Sequence, residues 1–259
     1  NDIRVVMNVK GSNRSFSDRV IITPGTTVEG TYLLKASVAQ YKPPGTSIEY
    51  HYVITDSEQR TLETHTETHV YLDGRFEWSH VSEGMIEVYY YGPVKTRAEL
   101  IMKAGAQTID KIGNLLGLKI TEPIRVMAYN SARDMIPAQP FESQTSEREL
   151  LLEGVTFREY GTLLMIISGD RPDGVASHEI THVLAGKLTT NAFVDMPAWL
   201  DEGLAEYGNV NRGSEFDALL SQAISHNGLL PLRNMQAPPG ITSERLLMYG
   251  QGYSVVKYM

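Results

Sequence analysis

The segment His178-Glu179-Ile180-Thr181-His182 carries two imidazoles four residues apart, with a carboxylate directly after the first. On a helix, residues four apart share a face, with Cβ atoms about 5–6 Å from one another. Two imidazoles at that spacing can converge on one zinc ion, at bond lengths of about 2.0–2.1 Å. Glu179 then projects beside the metal, where it can take a proton from a bound water. The chain has no cysteine. Thiolate ligands and disulfides are therefore excluded, and a metal site must draw on histidine and carboxylates. The competing reading is a pair of surface histidines on an amphipathic helix.

The flanking residues support a helix. Pro172 suits a first helical turn. Val175, Ile180, Val183 and Leu184 can form a buried stripe around the histidines. Gly186 and Lys187 suit its end.

A second segment, Pro197-Ala198-Trp199-Leu200-Asp201-Glu202-Gly203-Leu204-Ala205-Glu206-Tyr207, reads as another helix. It resembles the second zinc helix of the gluzincin metallopeptidases, the thermolysin and aminopeptidase N superfamily. Its nearest likeness there is to the peptidase MA-like group of extracytoplasmic proteins. The resemblance implies that Glu202 is the third zinc ligand. It also implies that Glu206, one turn further on, orients a zinc-bound imidazole and raises its basicity. Asp201 is the rival ligand; as the immediate neighbour of Glu202 it points to another face and reads as exposed or as an outer partner. Gly203 would allow a close helix approach.

Tyr249-Gly250-Gln251-Gly252-Tyr253 resembles a Tyr-x-x-Gly segment of aminopeptidase N-like enzymes. That likeness implies that the Tyr249 hydroxyl donates to the oxyanion of a tetrahedral intermediate, with Tyr253, one turn away, as the alternative. The Gly-x-Met-Glu-Asn segment by which those aminopeptidases hold a free amine is absent, so the reading leans to an endopeptidase. The implied reaction is hydrolysis of peptide bonds with one zinc ion as cofactor. Glu179 takes a proton from the zinc-bound water and later passes it to the leaving amine. An edge strand, either Val155–Glu159 or Leu163–Ile167, would pair with the extended substrate. Two other readings fit these residues: a catalytically silent zinc-binding module, and a zinc hydrolase of a non-peptide amide or ester. An intact Glu179 argues against the first, because a structural metal site does not need it.

The elements that must position these residues fall into two parts. Up to about Asp73, Thr, Val, Tyr and Ile alternate with polar residues in Val5–Val9, Val20–Thr23, Thr31–Val38, Ile48–Thr55 and Thr61–Leu72. Turn residues separate the runs, as in an antiparallel β-sandwich. After Glu83 the pattern mixes strands (Met85–Tyr91, Ile124–Tyr129) with helices (Thr96–Leu116, Pro172–Lys187, Pro197–Tyr207, Ser214–Ser225, Ser243–Met259). Pro137–Glu149 reads as a loop. The fold class is α+β. We expect a front β-sandwich with its linker over residues 1–82 and a zincin-like catalytic domain with a mixed sheet over 83–259. His51–Asp56 and Asp73–Trp78 resemble the immunoglobulin-like module and linker that precede the catalytic domain in the peptidase MA-like group. That likeness implies export, although the chain shows no signal segment. Asn1 in first place and Met259 inside a helical run read as trimmed ends.

The 259 residues carry a net charge of −8. No cluster of Lys and Arg offers a phosphate-binding surface, which argues against a nucleic-acid partner. No apolar run reaches the roughly 20 residues of a membrane span. The expected partner is a peptide or protein substrate. His65, Glu67 and His69 share one face of a strand, and read as a solvated surface rather than a second metal site.

Overall fold

Two sheets divide the strands of the computed structural model, which describes residues 2–11, 15–23, 25, 27–34, 41–140, 153–188 and 196–259. The first sheet is antiparallel throughout. It contains β1 (Asp2–Val9), β2 (Ser15–Arg19), β3 (Ser47–Thr55), β4 (Thr61–Glu63) and β5 (Glu67–Val70). Its order is β2-β1-β3-β4, with β5 also paired to β3. Val5, Met7 and Val9 alternate into its core, as a period of two requires. Ile22, Tyr32 and Leu34 pack against that core.

The front half departs from the sequence expectation in two places. Val20–Thr23 is not a strand, and neither is Thr31–Leu34; the remaining residues of the expected Thr31–Val38 strand lie outside the described residues. Among the described residues, one isolated bridge joins Ile22 to Gly30, just before the second stretch. The run Thr61–Leu72 breaks into β4 and β5. There the Thr64 hydroxyl, rather than a main-chain carbonyl, accepts the Tyr52 amide at 3.0 Å, and the ladder is interrupted.

The second sheet is mixed, in the order β6-β7-β8-β10-β9. Its strands are β6 (Ser79–Glu83), β7 (Ile86–Tyr90), β8 (Ile124–Tyr129), β9 (Gly154–Phe157) and β10 (Thr162–Ile166). β7, β8 and β10 are parallel, and β6 and β9 run antiparallel at the two edges. The parallel step from β7 to β8 needs a crossover, which helix α1 (Lys95–Leu115) supplies. All six residues of β8 are buried, and the one charge among them, Arg125, is paired with Glu87 at 2.8 Å. The order corrects one expectation. The strand at Leu163–Ile167 lies between β8 and β9, so it has no free edge, and β9 alone of the two candidates is an edge strand.

A short helix α2 (Ala132–Met135) follows β8. Of the expected loop Pro137–Glu149, Pro137 and Ala138 form a 3₁₀ turn and residues 141–149 lie outside the described residues. Four helices complete the chain: α3 (Pro172–Gly186), α4 (Ala198–Gly208), α5 (Glu215–Ser225) and α6 (Thr242–Tyr258). The fold is thus α+β, an antiparallel sheet followed by a mixed sheet with helices. Ile101 and Ile112 of α1 and Ile180, Val183 and Leu184 of α3 are fully buried in one core with Ile86, Val126 and Leu163 of the sheet. That core fixes α3, and so its outward face, relative to β9. Among the described residues no helix is long and apolar enough to cross a membrane.

Candidate metal centre

Helix α3 begins with Pro172 in its first turn and buries Ile180, Val183 and Leu184. Those anchors turn His178 and His182 away from the sheet and toward α4. Helix α4 answers with Glu202 and Glu206, one turn apart. His178 Nε2 and His182 Nε2 stand 3.2 Å apart. Glu202 Oε2 lies 3.3 Å from the first and 3.4 Å from the second. Ligands bound tetrahedrally at zinc distances are separated by about 3.3–3.4 Å, so the three atoms outline one face of such a tetrahedron. His178, His182 and Glu202 are the one group of this kind among the described residues.

The rest of each ring is already engaged. His178 Nδ1 is 2.9 Å from Glu206 Oε1, and Glu206 is only 3% exposed. His182 Nδ1 is 3.2 Å from Asp201 Oδ1, and Asp201 is in turn paired with Arg158. The Glu206 carboxylate at His178 Nδ1 favours the Nδ1–H tautomer there and leaves its Nε2 lone pair facing inward, while His182 Nδ1 has both Asp201 and, at 3.3 Å, the Arg158 guanidinium beside it. Glu202 Oε2 is buried and makes no well-formed hydrogen bond. Three electron-rich atoms packed this closely, one of them an orphaned carboxylate oxygen, need a cation or a proton between them. The donor set of two imidazoles and one carboxylate fits a divalent metal of the zinc type, with a further position left open.

The electrostatics of the metal-free site point the same way. Burial works against charge on the imidazoles, yet the carboxylates prevail. Glu202 and Glu206 raise His178 to about 10, and Asp201 and Glu202 raise His182 to about 9. Burial of Glu202 is likewise outweighed by the two imidazoles, which hold its carboxyl well below the usual range.

Glu179 reaches across to β9. The Thr156 hydroxyl donates to Glu179 Oε2 at 2.6 Å. A cavity of about 390 Å³ opens on His178, Glu179 and Tyr249, with Gly154, Phe216 and Arg245 also in its wall. Tyr249 stacks on Phe216 with centroids 5.5 Å apart and lies 6.1 Å from the His178 ring. Burial and the carboxylates of Glu202, Glu179 and Glu206 push its phenol far up, so it stays a hydrogen-bond donor. Tyr253 is outside this cavity, with the Arg212 guanidinium 3.8 Å above its ring.

Helix α6 reaches the site through glycines. A Cβ on Gly203 would overlap the Gly252 backbone, and one on Gly252 would overlap the Trp199 carbonyl. Without side chains at these positions, α4 and α6 touch backbone to backbone, as Gly203 suggests from the sequence.

The residues singled out in the sequence thus fall together: His178, His182 and Glu202 at the centre, Glu206 behind His178, Glu179 and Tyr249 at the cavity. Asp201 proves an outer partner and not an exposed charge. Three contributors carry no sequence signal of their own: Thr156, Arg158 and Phe216. Their roles depend on how β9, the 3₁₀ turn Arg158–Tyr160 that follows it and α5 cross α3 and α4. The stripe at His65 and Glu67 is solvated, its pair 3.2 Å apart with the His65 side chain 82% exposed.

Residues 104–259 match the family model of the Peptidase MA superfamily. A comparison with curated proteins finds no match.

Proposed function

The chain belongs to the Peptidase MA superfamily, and from that membership and the site geometry we propose that it is a zinc-dependent endopeptidase of the gluzincin type. The observation that carries this reading is the triangle of His178 Nε2, His182 Nε2 and Glu202 Oε2, with edges of 3.2–3.4 Å. These three residues would hold one zinc ion. When bound, zinc supplies Lewis acidity that lowers the pKa of a water to about 7.

The chain's own residues do the rest. Glu179 takes the proton from the attacking water and hands it to the leaving amine. Tyr249, kept protonated by its surroundings, donates to the oxyanion as charge develops there. Glu206 and Asp201 hold the imidazoles in the ligating tautomer. The free edge of β9 offers main-chain groups to an extended peptide, which is strand addition. The endopeptidase reading is supported by the missing amine-holding segment.

Two further parts of the proposal rest on resemblance. We read the front antiparallel sheet as an immunoglobulin-like module, with the boundary near residue 82. We place the protein outside the cytoplasm, as secreted or cell-surface.

The test is hydrolysis of a broad peptide library by zinc-loaded protein, with and without a chelator. We expect internal cleavage that chelation abolishes and zinc restores. No cleavage, or cleavage that survives the chelator, contradicts the proposal.

A further inference from the structure

We propose that Thr156 is a positioning residue that pins one carboxylate oxygen of Glu179 to the edge strand, so that the other oxygen is the one offered for proton transfer. This inference rests on the reading of Glu179 as the base.

The Thr156 hydroxyl has a single proton and two acceptors within reach. It is 2.6 Å from Glu179 Oε2 and 3.1 Å from the Glu179 main-chain oxygen. The shorter contact is to the charged acceptor, and hydrogen bonds to carboxylates are the stronger kind. Threonine is β-branched, and its χ1 is restricted, so the hydroxyl is held ready rather than recruited. β9 is itself fixed by its ladder to β10, with Thr156 opposite Leu163.

Two neighbours of Thr156 serve the same end. At Gly154 a side chain would meet Glu179 Cγ at 2.7 Å and Oε1 at 3.1 Å. Glycine there leaves the room that the Glu179 side chain occupies beside the strand. Arg158 pairs with Asp201, which faces His182 Nδ1. Gly154 and Thr156 on the strand, and Arg158 in the 3₁₀ turn that follows it, thus form a brace beside α3. The brace touches the base and the outer partner of the second imidazole. The strand that offers its free edge to substrate is also the one that holds the base.

The experiment compares wild type with Thr156→Val and Thr156→Ser, each in the full chain and zinc-loaded. Zinc content, melting temperature, kcat and KM are measured, and crystal structures of all three are solved. Valine keeps the shape and removes the hydroxyl; serine keeps the hydroxyl. We expect T156V to lose about tenfold in kcat, with KM, zinc content and melting temperature unchanged, and T156S to recover most of that loss. In the crystals Glu179 should hold one conformation in wild type and T156S, and spread over several in T156V. Should T156V fail to fold, T156A takes its place with the same expectations. A hydroxyl-free variant with wild-type kcat and an unmoved Glu179 overturns the inference. A wild type that hydrolyses no peptide sinks the functional reading instead, and the crystal comparison still decides the role of Thr156.

Discussion

His178 and His182 turn their Nε2 atoms toward each other at 3.2 Å, while carboxylates occupy their Nδ1 sides. Two lone pairs cannot face each other in a buried site without a cation or a proton. In the metal-free protein that role falls to protons, since the folded site raises His178 from 6.5 to about 10 and His182 from 6.5 to about 9. A raised pKa stabilises the fold fully below the unfolded value and loses that stabilisation as pH climbs through the folded value. Chelated protein should therefore become less stable between pH 6.5 and about 10. Zinc competes with the same protons, so its stabilising effect should grow over that window. Thermal melts with chelator and with zinc across this range check both slopes. A zinc effect that shrinks as pH rises speaks against the His178–His182 site.

Glu179 has no place in the ligand triangle, and its side chain is tied to Thr156 instead. Glu179→Gln should leave zinc content unchanged. It should lower kcat by about 10²–10⁴-fold, the usual contribution of a general base. Zinc analysis and steady-state kinetics on the same preparation separate the two effects. An active variant means that another group takes the proton.

Tyr249 lines the cavity beside His178, and Tyr253 lies outside it under Arg212. Removing one oxyanion donor typically costs about 10²–10³-fold in kcat. Tyr249→Phe should show a loss of that order, with zinc content unchanged. Tyr253→Phe should stay near wild type. Kinetics of the two variants in parallel settle which tyrosine acts.

Much of the site was legible in the sequence because its parts are local. The imidazoles sit one turn apart, as do Glu202 and Glu206, and helical spacing alone puts each pair on one face. The strand Ile124–Tyr129 and helix α1 were legible for the same reason, as a short apolar run broken only by Arg125 and a clear 3.6-residue period. What the sequence could not show depends on crossing. Thr156 is an ordinary strand residue until β9 passes over α3. Its hydroxyl contact to Glu179 spans 23 residues. Val20, Ile22, Tyr32 and Leu34 alternate like strand residues. The alternation reports their packing on the first sheet, but the ladder it suggests is limited to the bridge at Ile22. Burial has a sequence period; strand pairing does not.

The contact of α4 with α6 tolerates no side chain at Gly203, where a Cβ would overlap the Gly252 backbone. Gly203→Ala should push the helices apart and cost about 1–3 kcal/mol of stability. Because Glu202 is the adjacent residue and Tyr249 sits on the displaced helix, zinc affinity and kcat should fall with it. Denaturant titration together with zinc titration checks the pairing. A variant with wild-type stability means that the two backbones are not in contact.

The measurement that bears most directly on this site is a crystal structure of zinc-loaded protein with diffraction collected on both sides of the zinc absorption edge. We expect a single anomalous peak at about 2.0–2.2 Å from His178 Nε2, His182 Nε2 and a Glu202 carboxylate oxygen. No peak at that position, or a Glu202 side chain turned away from the two rings, contradicts the metal centre and the hydrolase reading with it.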